Sequence, residues 1–153
     1  MSFVNSLPSD RAAIVGVIDP DAYTATTYAT VAAPVSKFRR LQAIVFVGDL
    51  GSSATIDAKL QRCTDAAGSG PEDITGAAIT QLTQAGTDSN KQAILNYDTQ
   101  GEEGNQTNRF IRLLVTVGTA TSDMGAVLLG FDAFNGPASD DDLSSVDEIV
   151  SKP

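Results

Sequence analysis

The sequence predicts an all-β protein with a single domain, folded as a β-sandwich. Its 153 residues correspond to one domain rather than two. Several segments alternate apolar and polar side chains with the period of a strand, and no long helical pattern competes with them. The composition, 42% hydrophobic and 19% charged, lies in the range of globular proteins. We expect an extended N-terminal arm over residues 1–10, a sandwich domain over 11–134 and an acidic C-terminal tail over 135–153.

The strands of the first half follow from apolar patterning. Residues 12–18 form the first apolar run, and Asp19-Pro20-Asp21 predicts a turn after it. Residues 22–31 are rich in Thr and Tyr, which favours one strand. Residues 41–47 are almost all apolar, which predicts a strand buried on both faces and a loop from Gly48 onwards. The most regular alternation lies in residues 54–62, whose apolar face comprises Ala54, Ile56, Ala58 and Leu60.

Residues 74–85 allow two interpretations. Pro71 followed by two acidic residues would suit the start of a helix. Gly76 and the β-branched residues of the segment instead favour a strand or irregular structure. We prefer the strand and keep the helix as the alternative.

The second half predicts three further strands. Residues 92–97 alternate with the period of a strand, and residues 99–107 form a polar loop. Residues 109–117 alternate strongly and are followed by a turn and a second apolar stretch, 124–131. We expect these last two strands to form a hairpin.

The acidic tail keeps a helical pattern of apolar residues. The run Asp140 to Asp142 offers carboxylates that would cap a short helix. The apolar positions with helical spacing are Leu143, Val146, Ile149 and Val150.

Catalytic and metal chemistry are disfavoured by the residues that are present. The chain contains no histidine, the commonest general base and zinc ligand. Cys63 is the sole cysteine, which excludes an intramolecular disulfide, and we interpret it as a structural residue at a strand end. The aspartates 140–142 lack the ligand spacing of an EF-hand loop, so we interpret them as solvated or capping charges. We therefore expect no enzyme activity, no catalytic residue, no cofactor and no metal.

Charge limits the expected partners. The formal net charge is -9 and the sequence pI is about 4.2, which makes nucleic acid a poor partner. Neither a signal sequence nor an apolar stretch of membrane-spanning length is apparent, so we expect synthesis in the cytoplasm and no membrane partner.

Two groups of residues are candidates for contact with a protein partner. Lys37, Arg39 and Arg40 form either a docking patch for an acidic surface or a charged strand edge that prevents aggregation. Apolar residues near the chain ends are costly to expose, and each would contribute roughly 1.5 to 3 kcal/mol if buried on a partner, before ordering costs. These residues are Phe3, Val4 and Leu7 near the N-terminus and Leu143, Val146, Ile149 and Val150 near the C-terminus.

Four segments taken together resemble a known group of proteins. They are LQAIVFVGDLG at 41–51, ATIDAKLQ at 54–61, ITGAAITQL at 74–82 and the stretch 109–131. In this order they resemble small structural proteins encoded among the head genes of tailed bacteriophages, similar to capsid decoration (cement) proteins. The resemblance covers most of residues 22–134, and its motifs are structural rather than catalytic.

The resemblance implies a fold and a role. The fold would be a jelly-roll sandwich, assembled as a homotrimer on the outside of a capsid at local three-fold positions. The chain would be made in the host bacterial cytoplasm, become part of the virion, bind the major capsid protein and bridge its neighbouring subunits. A head-tail or tail protein is the alternative within the virion. A carbohydrate-binding β-sandwich module is a further alternative, weakened by the absence of Trp and the presence of only three Tyr.

Overall fold

A computed structural model describes residues 6–102 and 109–152. Within these residues a one-turn helix, α1 (Pro8–Arg11), precedes ten strands. The strands are β1 (Ala12–Tyr23), β2 (Thr27–Ala29), β3 (Ala33–Pro34), β4 (Phe38–Leu50), β5 (Thr55–Cys63), β6 (Glu72–Ala78), β7 (Leu82–Thr83), β8 (Gln92–Asp98), β9 (Phe110–Gly118) and β10 (Ser122–Ala133). Two 3₁₀ helices follow β8 and β10, at Thr99–Glu102 and Ala138–Asp141.

The strands form two antiparallel sheets with the order of a jelly roll. Sheet A has the order β1-β10-β4-β8, and sheet B has the order β2-β9-β5-β6. The two-residue strands β3 and β7 pair with β9 and β5 beside these paths. When β3 and β7 are left out and the remaining strands are numbered 1 to 8 in chain order, sheet A has the order 1-8-3-6 and sheet B has the order 2-7-4-5. This is the connectivity of an eight-stranded jelly roll, so the predicted all-β sandwich is confirmed.

The core lies between the two sheets and is built by alternation. Every second residue points inward along β9 and along β5 from Ile56 to Leu60, as predicted for β5, and meets inward residues of β4 and β10. The largest fully buried apolar side chains are Phe38, Leu41, Val45, Ile56, Leu60, Ile111, Leu113, Val115, Val117 and Leu128.

The predicted hairpin of the last two long strands is wrong. β9 pairs with β2, β3 and β5 in sheet B, whereas β10 pairs with β1 and β4 in sheet A. The short connection at 119–121 carries the chain from one sheet to the other. Thr119 has a φ of 70°, which helps to redirect the backbone there. Two strands that each have one apolar face can bury those faces against each other across the core, so the pattern does not require them to be neighbours in one sheet.

The expected turn at Pro20 and the single strand at 22–31 are also corrected. β1 continues through Pro20 because its register with β10 shifts between Ile18 and Asp21, and such a bulge on an edge strand accommodates proline. The chain then crosses from sheet A to sheet B between β1 and β2. The rings of Tyr23 and Tyr28 pack edge to face at this crossing, with centroids 4.3 Å apart.

β4 is longer and less buried than predicted. It runs through the glycine-containing segment that was expected to be a loop and ends at Leu50. Its inward residues, Leu41, Ala43, Val45 and Val47, are buried, but Phe46 is 49% exposed. The strand therefore has one core face and one outer face, as every strand in a two-layer antiparallel sandwich must.

The remaining alternatives are resolved by β6 and by the tail. Residues 72–78 and 82–83 are strands, so the helix considered for 74–85 is excluded. The helix considered for residues 143–150 does not form. Instead, Ala138–Asp141 makes a 3₁₀ helix that packs on β1, with Ala138 fully buried.

Candidate docking surface

The two outer faces of the sandwich differ in chemistry. Outward positions are those that alternate with the buried residues of each strand. In sheet A they are Ala12, Ile14 and Val17 on β1, Asp123, Gly125, Val127, Leu129 and Phe131 on β10, Arg40, Gln42, Ile44 and Phe46 on β4, and Gln92, Ile94, Asn96 and Asp98 on β8. We call this set the A face.

An apolar row crosses the whole A face. Val17 is the register partner of Val127, which is paired with Ile44, which is paired in turn with Ile94. Directly opposite residues on one face of a sheet contact each other, so these four side chains form a continuous band perpendicular to the strands. Ile94, at the open end of the band, is 58% exposed.

Phe46 extends this band towards one end of the sheet. It is paired with Gln92 on one side and with Gly125 on the other. A shallow depression beside the ring is lined by Pro20 and Gly125, among other residues. Burying the exposed halves of Phe46 and Ile94 would contribute about 1 kcal/mol each. An aromatic ring beside a depression is typical of the anchor residues of protein interfaces.

Charges on the A face lie towards its two ends. Arg40 and Asp98, which are register partners, lie at one end. Asp123 lies at the other end, where Asp123 and Asp21 line the depression beside Phe46. A second depression, at the Arg40 end, is lined by Arg40, Gln42, Asn96 and Asp98, among other residues. The centre of the face is therefore apolar and its rim is polar, the arrangement found at protein interfaces.

The outer face of sheet B carries a polar network that joins β5, β6 and β9. Lys59 and Gln61 both donate hydrogen bonds of 2.7 Å to Asp73, which ties β5 to β6. The Gln61 amide oxygen also accepts from Arg112 on β9, at 2.9 and 3.0 Å. These contacts lower the pKa of the Asp73 carboxyl, chiefly through the Gln61 hydrogen bond and then through Lys59. This face satisfies its polar groups internally and is suited to solvent.

The predicted basic group lies beside the A face and has partners within the chain. Lys37 Nζ is 2.6 Å from Asp141 Oδ1 in the tail, and Arg40 forms a 3.6 Å ion pair with Asp132. The guanidinium of Arg39 lies over the Phe134 ring, 5.2 Å from its centroid. The Lys37 contact joins the tail to the start of β4, whereas the Arg39 and Arg40 contacts are with Phe134 and with Asp132 of β10.

The apolar candidates at the chain ends are placed unevenly. Phe3 and Val4 lie outside the described residues, and Leu7 is partly buried beside α1. Leu143 and Val146 are partly buried, whereas Ile149 and Val150 are 49% and 80% exposed. Among the described apolar candidates, Ile149 and Val150 are therefore the most exposed.

The structure gives the reactive side chains ordinary roles. Burial raises the pKa of the Cys63 thiol, which opposes formation of the thiolate nucleophile. Asp141 and Asp142 bind Lys37 and the N–H of Ile14, so two of the three consecutive aspartates have partners within the chain. Among residues 6–102 and 109–152, no group of three or more Cys, Asp or Glu side chains is arranged to hold a metal ion.

Sequence reasoning missed the A face, although a signal was present. The unbroken apolar run at 41–47 was interpreted as burial on both sides. In an antiparallel sandwich a strand has one core side, so the second apolar set, Ile44 and Phe46, has to lie on the outer face. The partner positions Val127 and Ile94 become visible only once the pairing is known.

Comparison with known proteins gives distant likenesses in fold. No family model matches the chain, and no curated protein matches it. A chain in the cryo-EM structure of Broad Bean Stain Virus is 12% identical, with a TM-score of 0.47 over 86% of this chain and 91% of that chain. A chain in the electron cryo-microscopy structure of the Cowpea Mosaic Virus empty virus-like particle is also 12% identical, with a TM-score of 0.40 over 99% and 91%. Because both TM-scores are below 0.5, the jelly-roll assignment rests on strand order.

Membrane-spanning helices are not found in the described part of the chain, since none of its helices has the necessary length and apolar character.

Proposed function

We propose that this chain is a virion structural protein without enzyme activity, which binds the outside of a phage capsid and stabilises it by bridging neighbouring major capsid subunits. The observation that carries the proposal is the contrast between the two outer faces. One carries a satisfied polar network, and the other carries an apolar band with half-exposed Phe46 and Ile94. A sandwich that functioned alone in solvent would gain nothing from the second face.

The A face is the proposed seat on the capsid. Its apolar band carries no charge, so an acidic chain can approach a protein surface there while desolvating few carboxylates. A complementary capsid surface would be apolar at its centre and basic or neutral around most of its edge, since the chain carries a net charge of -9. Acidic positions would be expected only where that edge meets the exposed Arg39 at the start of β4.

Bridging stabilises a shell by mass action. A molecule that binds the assembled shell and not the separated subunits adds its binding free energy to the cost of opening the shell. If the chain is a homotrimer, three modest contacts act together through high effective concentration. Phe3, Val4, Ile149 and Val150 are proposed to contact neighbouring subunits in the assembled particle.

The proposal is tested by binding to capsids of the encoding phage that lack this chain. The wild-type protein is expected to bind to saturation and to raise the temperature at which the shell opens. Phe46→Lys places a charge beside the apolar band of the A face and should weaken binding at least tenfold, about 1.4 kcal/mol. Thr27→Lys is the matched control, because Thr27 is an exposed strand residue of sheet B and the charge change is the same.

Two results would contradict parts of the proposal. Equal binding of the Phe46→Lys and Thr27→Lys variants would remove the A face as the docking surface. A cryo-EM map of the virion with this chain at the neck or tail would instead support the head-tail or tail alternative. Circular dichroism on each variant checks that the β-sandwich has folded.

A further inference from the structure

Among the residues that the structure describes, β8 is an edge strand with no further strand paired to its open side. It pairs with β4 at seven consecutive positions, from Arg40–Asp98 to Phe46–Gln92, without a register shift. It contains no proline, and between its ends it carries no charged residue. In the strand order of sheet A it lies at the end of the sheet. Long, flat, apolar edge strands pair readily with another chain unless they are blocked.

The other sheet edges are each interrupted or covered. β1 has two register shifts, and residues 142–143 of the tail bind both the N–H and the C=O of Ile14. β2 is three residues long. β6 is bulged against β5, begins with two acidic residues and contains Gly76 at a φ of 82°. These three edge strands each have a feature that discourages pairing with another chain. β8 has none of these features, which indicates that its edge pairs with a partner.

The backbone groups at this edge can be assigned from the ladder. Val47 N–H donates to Lys91 C=O at 2.9 Å, next to the last β4–β8 pair. In an antiparallel ladder the hydrogen-bonded positions alternate, so the odd-numbered residues of β8 bond to β4. The N–H and C=O groups of Gln92, Ile94 and Asn96 therefore point towards the open edge.

We propose that two copies of this chain pair through β8, antiparallel, about a two-fold axis at Ile94. This places Ile94 opposite Ile94 of the second copy and Gln92 opposite its Asn96. The three outward-pointing backbone positions of each strand then exchange hydrogen bonds with the second copy. The two four-stranded sheets become one sheet of eight strands.

Side-chain matching favours this register over its neighbours. The apolar row of Val17, Val127, Ile44 and Ile94 continues without a break into the second copy. The amides of Gln92 and Asn96 meet, as the amides of Gln42 and Asn96 already do within one chain at 2.9 Å. A shift by two residues would place Ile94 opposite Asn96 or Gln92 of the second copy and lose both matches.

Charge also permits this contact. Two molecules of net charge -9 repel each other, so a contact between copies is favoured where carboxylates are few. In the proposed register each Asp98 lies opposite Asn90 of the second copy rather than opposite another carboxylate. The contact is two-fold, so it joins copies from neighbouring assemblies and does not build a trimer. It stands independently of binding to a capsid.

The first test measures the oligomeric state of the isolated protein by sedimentation velocity over a range of concentrations. The wild-type chain and the Thr27→Lys control should show the same two-fold association. Ile94→Lys places two ammonium groups opposite each other and should weaken that association at least tenfold. Equal association of Ile94→Lys and the control would overturn the proposal, as would a wild-type chain that stays monomeric at its highest soluble concentration.

The second test reports the register directly, by disulfide cross-linking in a Cys63→Ala background. Ile94→Cys should cross-link with itself, because opposite Cα atoms in a bonded pair are about 5.5 Å apart. Asn96→Cys should not, because its two copies lie about 13 Å apart along the strands. A mixture of Gln92→Cys and Asn96→Cys molecules should cross-link with each other and not with themselves. Cross-linking of Asn96→Cys to itself in preference to Ile94→Cys would overturn the register.

Discussion

The carboxylate of Asp142 accepts a 2.6 Å hydrogen bond from the backbone N–H of Ile14, 128 residues earlier in the chain. The next residue, Leu143, donates its own N–H to the Ile14 carbonyl at 2.8 Å. Together the two bonds occupy the backbone of β1 at the edge of sheet A. Residues 142–143 therefore act as a short edge cover, and this part of the acidic tail belongs to the packed structure.

Replacing Asp142 should loosen this cover. Asp142→Ala removes the acceptor and leaves the Ile14 N–H without it, which should reduce the free energy of unfolding by about 1 to 2 kcal/mol. Urea denaturation at pH 7 measures the change. Asp147→Ala, at an exposed tail position, is the control and should change stability by less than about 0.5 kcal/mol. Equal stability of the two variants would show that the tail contact contributes nothing.

The pKa of Asp73 predicts part of the acid sensitivity of sheet B. Its hydrogen bonds to Gln61 and Lys59 lower the pKa of the carboxyl in the folded state. A lowered folded pKa stabilises the fold above the ordinary aspartate value, about 3.9, and this contribution is lost as pH falls through the folded value. Asp73→Asn should therefore be less stable than wild type at pH 7, and the difference should shrink below about pH 4.

Urea denaturation at a series of pH values from 7 to 2 measures this difference. Asp147→Asn removes the same charge from the exposed tail and is the control. A stability difference between wild type and Asp73→Asn that stayed constant across this range would contradict a titrating contribution from Asp73.

Local alternation predicted the strands but not which sheet they join. β5 was predicted closely because Ile56, Ala58 and Leu60 repeat at every second position and all three are buried. The assignment of β9 and β10 to a hairpin failed because period-two patterning specifies that a face is buried, not whether its neighbour lies beside it or across the core. The turn predicted at Pro20 is wrong for a related reason, since only the pairing of β1 with β10 reveals that Pro20 lies in a bulge.

Local sequence patterns also do not predict the A face as a candidate site. The apolar content of residues 41–47 predicted a strand, but two-sided burial in the core and exposure to a partner give the same sequence pattern. The band from Val17 to Ile94 joins four strands that are far apart in the chain, so no local window contains it. The basic residues and the chain ends, in contrast, can be identified within a local window because they depart from the local composition.

Gly130 and Phe38 show how tightly the core is packed against sheet A. A Cβ atom added at Gly130 would lie 2.7 Å from three atoms of the Phe38 ring, which is fully buried. Gly130→Ala should therefore destabilise the fold by about 1 to 3 kcal/mol through overpacking. The backbone at Gly130 does not have a positive φ, so the cost would be steric rather than conformational.

A double-mutant cycle with Phe38→Leu isolates this contact. Phe38→Leu alone removes buried ring atoms and leaves a cavity, which is destabilising. In the double variant the smaller leucine makes room for the new methyl group, which fills part of that cavity. The loss of stability in the double variant should therefore be smaller than the sum of the two single losses, by about 0.5 to 3 kcal/mol. Urea denaturation of the four proteins measures the coupling, and strict additivity would show that the ring and the methyl group do not compete for the same space.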